Sequence, residues 1–163
     1  MKKFNLGVSD IVRVSDSELS QLLTQVYVDA GFATMEMAVT IFAPESVRQR
    51  GTLIVARETQ KDDFAGMIIV VAHDSPACRR AQQNEVEIHL LGVAVAYRGQ
   101  GLGKQLIDAA LDKAKADGIS TAVLWTQKAM LAAQHIYESK GFVQKGEMSR
   151  SGIDFLLYEK VLS

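Results

Sequence analysis

At 163 residues the chain is the size of one domain, residues 1–163, and such a length buries roughly 70% of the unfolded chain's surface on folding. Eighteen Lys and Arg against nineteen Asp and Glu leave a formal charge of −1, and no basic run marks a nucleic-acid stripe, so neither DNA nor RNA is an expected partner. No stretch approaches the ~18 apolar residues of a membrane span, Asn5, Gly7, Ser9 and Asp10 break up any secretory signal, and the lone Cys78 excludes an internal disulfide; a cytoplasmic protein without a membrane partner is expected.

In chain order, the segment 10–14 (Asp-Ile-Val-Arg-Val) predicts a first strand. Ser15 or Asp16 then caps a helix with Leu19, Leu22, Leu23 and Val26 on one face. The pattern blurs from residue 29 to residue 51. Apolar runs at 52–56 and 65–71, joined by the polar turn 58–63, predict a hairpin. A polar loop, 74–84, holds Cys78, for which a surface thiol without function is the plain reading. The strand at 85–95 alternates Val86, Ile88 and Leu90 with Glu85, Glu87 and His89, and Gly92 inside it marks a bulge or a close approach.

Next comes Arg98-Gly99-Gln100-Gly101-Leu102-Gly103, which reads as a phosphate cradle. Its glycines admit backbone turns closed to other residues, so that successive N–H groups can face one anion, and the helix from about Leu102 to Asp117 adds its N-terminal dipole. Spacing excludes two better-known loops. Gly99 to Gly103 leaves three intervening residues where a nucleotide triphosphatase loop needs four, and Lys104 is followed by Gln105 rather than Ser or Thr. A dinucleotide fingerprint would need a glycine at Leu102 or Leu106. The long helix turns Leu106, Ile107, Ala110, Leu111 and Ala114 to one face and ends at Gly118. A strand at 121–126, a helix at 130–139 and two last strands, at 142–143 and 153–158 around a turn region at 146–152, complete the chain.

The cradle, together with Ala133, Tyr137 and Gly141-Phe142 downstream, resembles the GCN5-related N-acetyltransferase superfamily, which moves an acetyl group from acetyl coenzyme A to an amine. Arg98, Gly101 and Gly103 fit its pyrophosphate loop, and the downstream residues fit its second recurring stretch; Met130 departs from the Asn often found three residues before the Ala. The resemblance implies an α/β (α+β) fold, a mixed, mostly antiparallel sheet of about six to seven strands with helices on both faces. It implies acetyl-CoA as co-substrate, with Arg98, Gly99, Gln100, Gly101, Leu102, Gly103 and Lys104 at the pyrophosphate; no metal is expected, because the single Cys78 and the scattered His73, His89 and His135 lack ligand spacing. Backbone roles fall to Leu91, as donor to the acetyl oxygen, and to Val93 and Val95, which would pair with the pantetheine amides like a neighbouring strand.

An alkyl amine attacks only as the free base, and with a reference pKa near 10.4 its deprotonation at pH 7 costs roughly 4.6 kcal/mol. Glu87 stands where the histone-acetylating branch carries its catalytic glutamate, and is the first candidate for the base; solvating an exposed strand face is the alternative. For His89 a packing or tautomer-fixing hydrogen bond is the plainer role. Tyr137 is the candidate acid for the departing thiolate. Phe32, Met35, Met37 and Phe42 read as acceptor-pocket or core residues, Trp125 as core, and Arg48 and Arg50 as a solvated helix end or a carboxylate site. The expected activity is acetyl transfer to a small-molecule primary amine, with a protein or peptide N-acetyltransferase and a non-catalytic acyl-CoA-binding module as alternatives, and a homodimer as the expected assembly if one forms.

Overall fold

Seven strands in the order β1-β2-β3-β4-β5-β7-β6 form one twisted sheet in the computed structural model, which describes residues 2–163. The strands are β1 (Phe4–Val8), β2 (Thr52–Glu58), β3 (Phe64–Ala72), β4 (Glu85–Val93), β5 (Thr121–Gln127), β6 (Val143–Arg150) and β7 (Ile153–Val161). Only β4 and β5 pair in parallel, because the helix between them must cross over the sheet to return the chain in the same direction. All other neighbours are antiparallel.

Helices cover both faces, as the resemblance implies. Helix α4 (Leu102–Ala116) lays Leu102, Leu106, Ile107, Ala110, Leu111 and Ala114 on one apolar face of the sheet, beside Tyr137 of α5 (Leu131–Ser139). Opposite, Leu19, Leu22 and Leu23 of α1 (Asp16–Leu23) and Val47 of α3 (Pro44–Gln49) pack on Leu53, Val55, Met67 and Ile69. Ser15 caps α1 through a reciprocal bond with Glu18, and a π turn (Thr24–Val28) follows. The blurred stretch contains α3 and the exposed helix α2 (Met35–Ile41), which buries no residue and so carries no apolar period to read. Among the described residues no helix is long and apolar enough to cross a membrane.

Three local expectations need correction. The first strand is Phe4–Val8, paired with β2, and the segment 10–14 is a turn whose Val12 and Val14 are buried without being in a strand. Gly7, on the face of β1 opposite Phe4, Leu6 and Val8, is where Val12 folds back: a Cβ there would lie 2.8 Å from Val12 Cγ2. At the C-terminal end, β6 continues through Gly146 with a register shift between Gln144 and Gly146, and the turn is only Ser151-Gly152, both with positive φ (53° and 77°), as a two-residue hairpin loop requires. Finally, β4 stops at Val93, and Val95 lies in a 3-10 turn (Val95–Tyr97).

Candidate active site

The parallel pair is where the sheet opens. β4 and β5 are in register only from Glu85–Ile88 against Thr121–Leu124, and beyond Ile88 and Leu124 the strands diverge. A bulge in β4 coincides with the divergence: Met67 faces Gly92 and Ile69 faces His89, so Leu90 and Leu91 together oppose Ile68. Leu90 absorbs the bulge with φ of 52°. The extra residue exchanges the faces of the strand. Leu91, expected on the side of Glu87 and His89, packs with Val86 and Ile88, while Leu90 joins the opposite cluster. Gly92 lies beside the bulge and admits Val26, whose Cγ2 would be 3.3 Å from an added Cβ.

On one side of this opening lies a cavity of about 480 Å3, within the ~300–1,000 Å3 typical of small-molecule sites. Leu91 and Val93 form one wall, Arg98 and Gly99 with Gly101 to Lys104 another, and Met130 to Ala133 a third. Gly99 and Gly101 hold φ of 74° and 80°, a conformation costly for any side chain. Gly103 has a different reason to be glycine: it is helical, and a Cβ there would meet Ile136 Cδ1 at 2.7 Å, so it lets α4 and α5 approach. Among the described residues no protein acceptor receives the backbone N–H of Gly99, Gln100, Gly101, Leu102, Gly103 or Lys104. Six successive free donors at a helix N-terminus suit a pyrophosphate. The Val93 carbonyl accepts from Arg98 Nε at 3.0 Å. Val95 and Gln100 do not line the cavity, and the Val95 N–H donates to Gln25 Oε1 at 3.0 Å, so Val95 does not extend the free strand edge.

On the other side is a smaller cavity of about 200 Å3, and Leu91, Met130 and Ala133 line both. Met130, where the family often has Asn, sits at the N-cap of α5 and supplies no capping hydrogen bond. The smaller cavity is walled by Tyr27, Trp125, Tyr137 and Phe155, with Arg50, Arg79, Glu87 and His89 as its charged and titratable members.

Glu87 does not solvate an exposed face. It is 3% exposed, and its carboxylate accepts backbone N–H groups from Arg79 (3.0 Å), Arg80 (2.6 Å) and Ala81 (3.1 Å), which ties the 74–84 loop to the sheet. His89 Nε2 lies 2.5 Å from Glu87 Oε2, and Arg50 Nη1 lies 3.2 Å from His89 Nδ1. Because a guanidinium only donates, Nδ1 is the acceptor and Nε2 carries the proton shared with Glu87. Burial alone would raise the Glu87 pKa; the His89 and backbone hydrogen bonds outweigh it and hold the carboxyl down to about 2. So Glu87 is a spent acceptor and an anion at any ordinary pH, with His89 as its neighbour toward the cavity.

Tyr137 is 6% exposed, its ring packed at 5.7 Å from Phe142 and 6.2 Å from Tyr158. Burial raises its pKa, with a smaller push from Tyr27, so the phenol keeps its proton. Its hydroxyl has no partner among the described residues. Trp125, expected in the core, instead lines the cavity with a buried indole N–H that meets no acceptor among the described residues. Of the expected pocket residues, Phe32 lines the larger cavity, Phe42 is buried against Tyr27 at 4.9 Å, and Met35 and Met37 line neither. Sequence reading did not anticipate Tyr27, Arg79 or Phe155. No local pattern marks them, since each reaches the cavity from a different segment. Among the described residues no group of three or more His, Cys, Asp or Glu side chains gathers where a metal ion could be held.

A model of the acetyltransferase (GNAT) family matches residues 18–142. Mycothiol acetyltransferase of Renibacterium salmoninarum is 33% identical over 94 residues, 58% of this chain and 26% of the relative. N-alpha-acetyltransferase 30 of Saccharomyces cerevisiae is 35% identical over 63 residues, 39% of this chain and 36% of the relative. The chain thus matches only about a quarter to a third of the length of these curated relatives. A Bacillus subtilis acetyltransferase solved in complex with CoA superposes with a TM-score of 0.66 at 20% identity, over 99% of both chains.

Proposed function

This chain belongs to the acetyltransferase (GNAT) family, and on that premise we propose that it transfers an acetyl group from acetyl coenzyme A to a small-molecule primary amine by direct attack, without a covalent enzyme intermediate. The supporting observation is the meeting of the two cavities at Leu91, Met130 and Ala133: a backbone anion cradle on one side, a titratable chain on the other, and a diverged strand edge between them.

Acetyl coenzyme A supplies an acyl thioester. The N–H groups from Gly99 to Lys104 receive the pyrophosphate oxygens, with Arg98 and Lys104 adding positive charge at the rim. The edge of β4 that β5 leaves behind offers the Leu91 backbone N–H to the acetyl oxygen, where negative charge develops as the carbonyl becomes tetrahedral. Val93 presents its carbonyl to a pantetheine amide once Arg98 Nε releases it. His89 takes the proton of the attacking ammonium, directly or through a water, and Glu87 is its positioning residue: the carboxylate fixes the ring and stabilises the imidazolium. Tyr137 donates its free hydroxyl to the leaving sulfur. Since burial raises its pKa, it stabilises the thiolate as a hydrogen-bond donor while the proton lost from the amine neutralises the sulfur. At about 200 Å3 the acceptor side falls below the range of drug-sized sites, which favours a small acceptor over a peptide.

An amine-panel assay with mass detection of products and colorimetric detection of released thiol tests this reading. Acetylated small amines are the expected result. Product from peptides alone would replace it with the protein-acetylating reading, and cofactor binding without thiol release from any amine would replace it with a binding module.

A further inference from the structure

Arg48 and Arg50 leave the same short helix for different surroundings. Arg48 Nε meets Asp16 Oδ1 at 2.9 Å. Arg50 has no carboxylate partner among the described residues; besides His89, it reaches only the Ile41 carbonyl, at 2.9 Å. Arg79 lines the same cavity, its guanidinium bonded only to the Pro76 and Cys78 carbonyls, and it too lacks an acid. The two cations line one cavity; burial lowers the Arg50 pKa, Tyr27 partly offsets this, and the like charge of Arg79 lowers it further. Glu87 does not serve them, since its oxygens are occupied by His89 and the loop N–H groups. Unneutralised guanidiniums at a partly buried mouth form a site for an anion, and their forked donors fit a carboxylate best.

The rest of the cavity describes the body of the ligand. Tyr27, Trp125 and Phe155 give it flat apolar walls, and the unpartnered Trp125 N–H offers one hydrogen bond to an acceptor atom. We infer that the acceptor is a free amino acid or close analogue, a small primary amine bearing its own carboxylate and a large apolar or aromatic side chain, with the carboxylate received by Arg50 and Arg79. This rests on the acetyltransferase reading above. Recognition and catalysis are coupled through Arg50: when its guanidinium turns to the carboxylate, the lone pair of His89 Nδ1 is released for the amine's proton. The amine nitrogen then bonds to the acetyl carbon and gives up its second proton as the tetrahedral adduct collapses; the C–S bond breaks with its electron pair on sulfur, and of the two protons lost from nitrogen one neutralises the thiolate and the other leaves to solvent. Polyamines are excluded by the same two charges.

The test uses the full chain, acetyl-CoA and a matched panel of free L-amino acids, their amides and the corresponding decarboxylated amines, with products identified by mass. Removing the carboxylate should lower kcat/KM by roughly 100-fold or more, as expected when a buried charged group loses its partner. The amides make the comparison stringent, because their less basic amines are more abundant as free base at neutral pH. Arg50→Gln should raise KM for the acids and bring the acid-to-amide preference to within about threefold; Arg79→Gln, at an exposed loop position, should move it in the same direction by roughly fivefold and serves if Arg50→Gln fails to fold. Equal turnover of acids, amides and decarboxylated amines overturns the inference and leaves the acetyltransferase reading standing. With peptides and polyamines added to the same panel, turnover of these alone overturns it as well, as does acetyl-CoA binding without product from any member of the panel. Failure to bind acetyl-CoA at all removes the reading on which it rests.

Discussion

The cavities on the two sides of Leu91 are built from different material. The larger is a backbone device: within six consecutive residues, two left-handed glycines and the start of α4 line up free N–H groups, and its side chains serve mainly to stay out of the way. The smaller is a side-chain device, assembled from Tyr27, Arg50, His89, Trp125 and Phe155 on separate segments and held by one buried carboxylate. A backbone site fails when its conformation is forbidden or its space filled. A side-chain site fails piecemeal, each residue changing a different property.

Removing the charge of the carboxylate that organises the side-chain region should do the most damage. Glu87→Gln loses charge-assisted bonds from three loop N–H groups and His89, and should destabilise the fold by on the order of 3 kcal/mol. The pH dependence follows from its lowered pKa, about 2 against 4.5: the stabilisation is full above the unfolded value and is lost as pH falls from about 5 toward 2, on the order of 3 kcal/mol over that window. Urea denaturation between about pH 2 and 7 should therefore show a flatter profile in the variant than in the natural sequence. Parallel profiles would remove Glu87 as the anchor.

Second is Gly101→Val, aimed at the backbone device. A left-handed φ of 80° should cost the fold about 1–2 kcal/mol in a β-branched residue, and the side chain intrudes where the cofactor is proposed to lie. Calorimetry should find acetyl-CoA affinity down roughly 100-fold, about 2.7 kcal/mol, with acceptor preference unchanged at saturating cofactor. A changed preference would mean that the two cavities are not separable.

A smaller effect is expected for Tyr137→Phe, which keeps the ring against Phe142 and removes the hydroxyl: kcat should fall roughly tenfold to a hundredfold with little change in cofactor binding. Unaltered kcat would assign Tyr137 to packing.

Smallest is Trp125→Phe. Deleting a buried N–H that has no partner among the described residues should leave stability within about 1 kcal/mol of the natural protein, or slightly raise it, while KM for the acceptor increases severalfold. A clear loss of stability without a KM effect would make Trp125 a core residue after all.

Neighbours along the chain encode the local part of this fold. Gly99 and Gly101 announce a left-handed backbone that few other residues adopt, the period of Leu106, Ile107, Ala110, Leu111 and Ala114 announces the face of α4, and Ser15 with Glu18 announces where α1 starts. The central strands were legible for the same reason, as were the helices on both faces once the family resemblance supplied their arrangement. Tertiary structure decided whatever depends on register or on a distant partner. The short edge strand Phe4–Val8 does alternate Phe4, Leu6 and Val8 with Asn5 and Gly7, but only its pairing with β2 decides between it and the apolar run at 10–14. One additional residue at Leu90–Leu91 reverses which side chains of β4 face which cluster, a reversal that strict alternation cannot express. Glu87 became an anchor, with His89 held between it and Arg50, only because the 74–84 loop folds over the carboxylate and residue 50 is brought to residue 89. Local conformational energies are written in adjacent residues, whereas a buried polar constellation is fixed by which surfaces the packed sheet brings together.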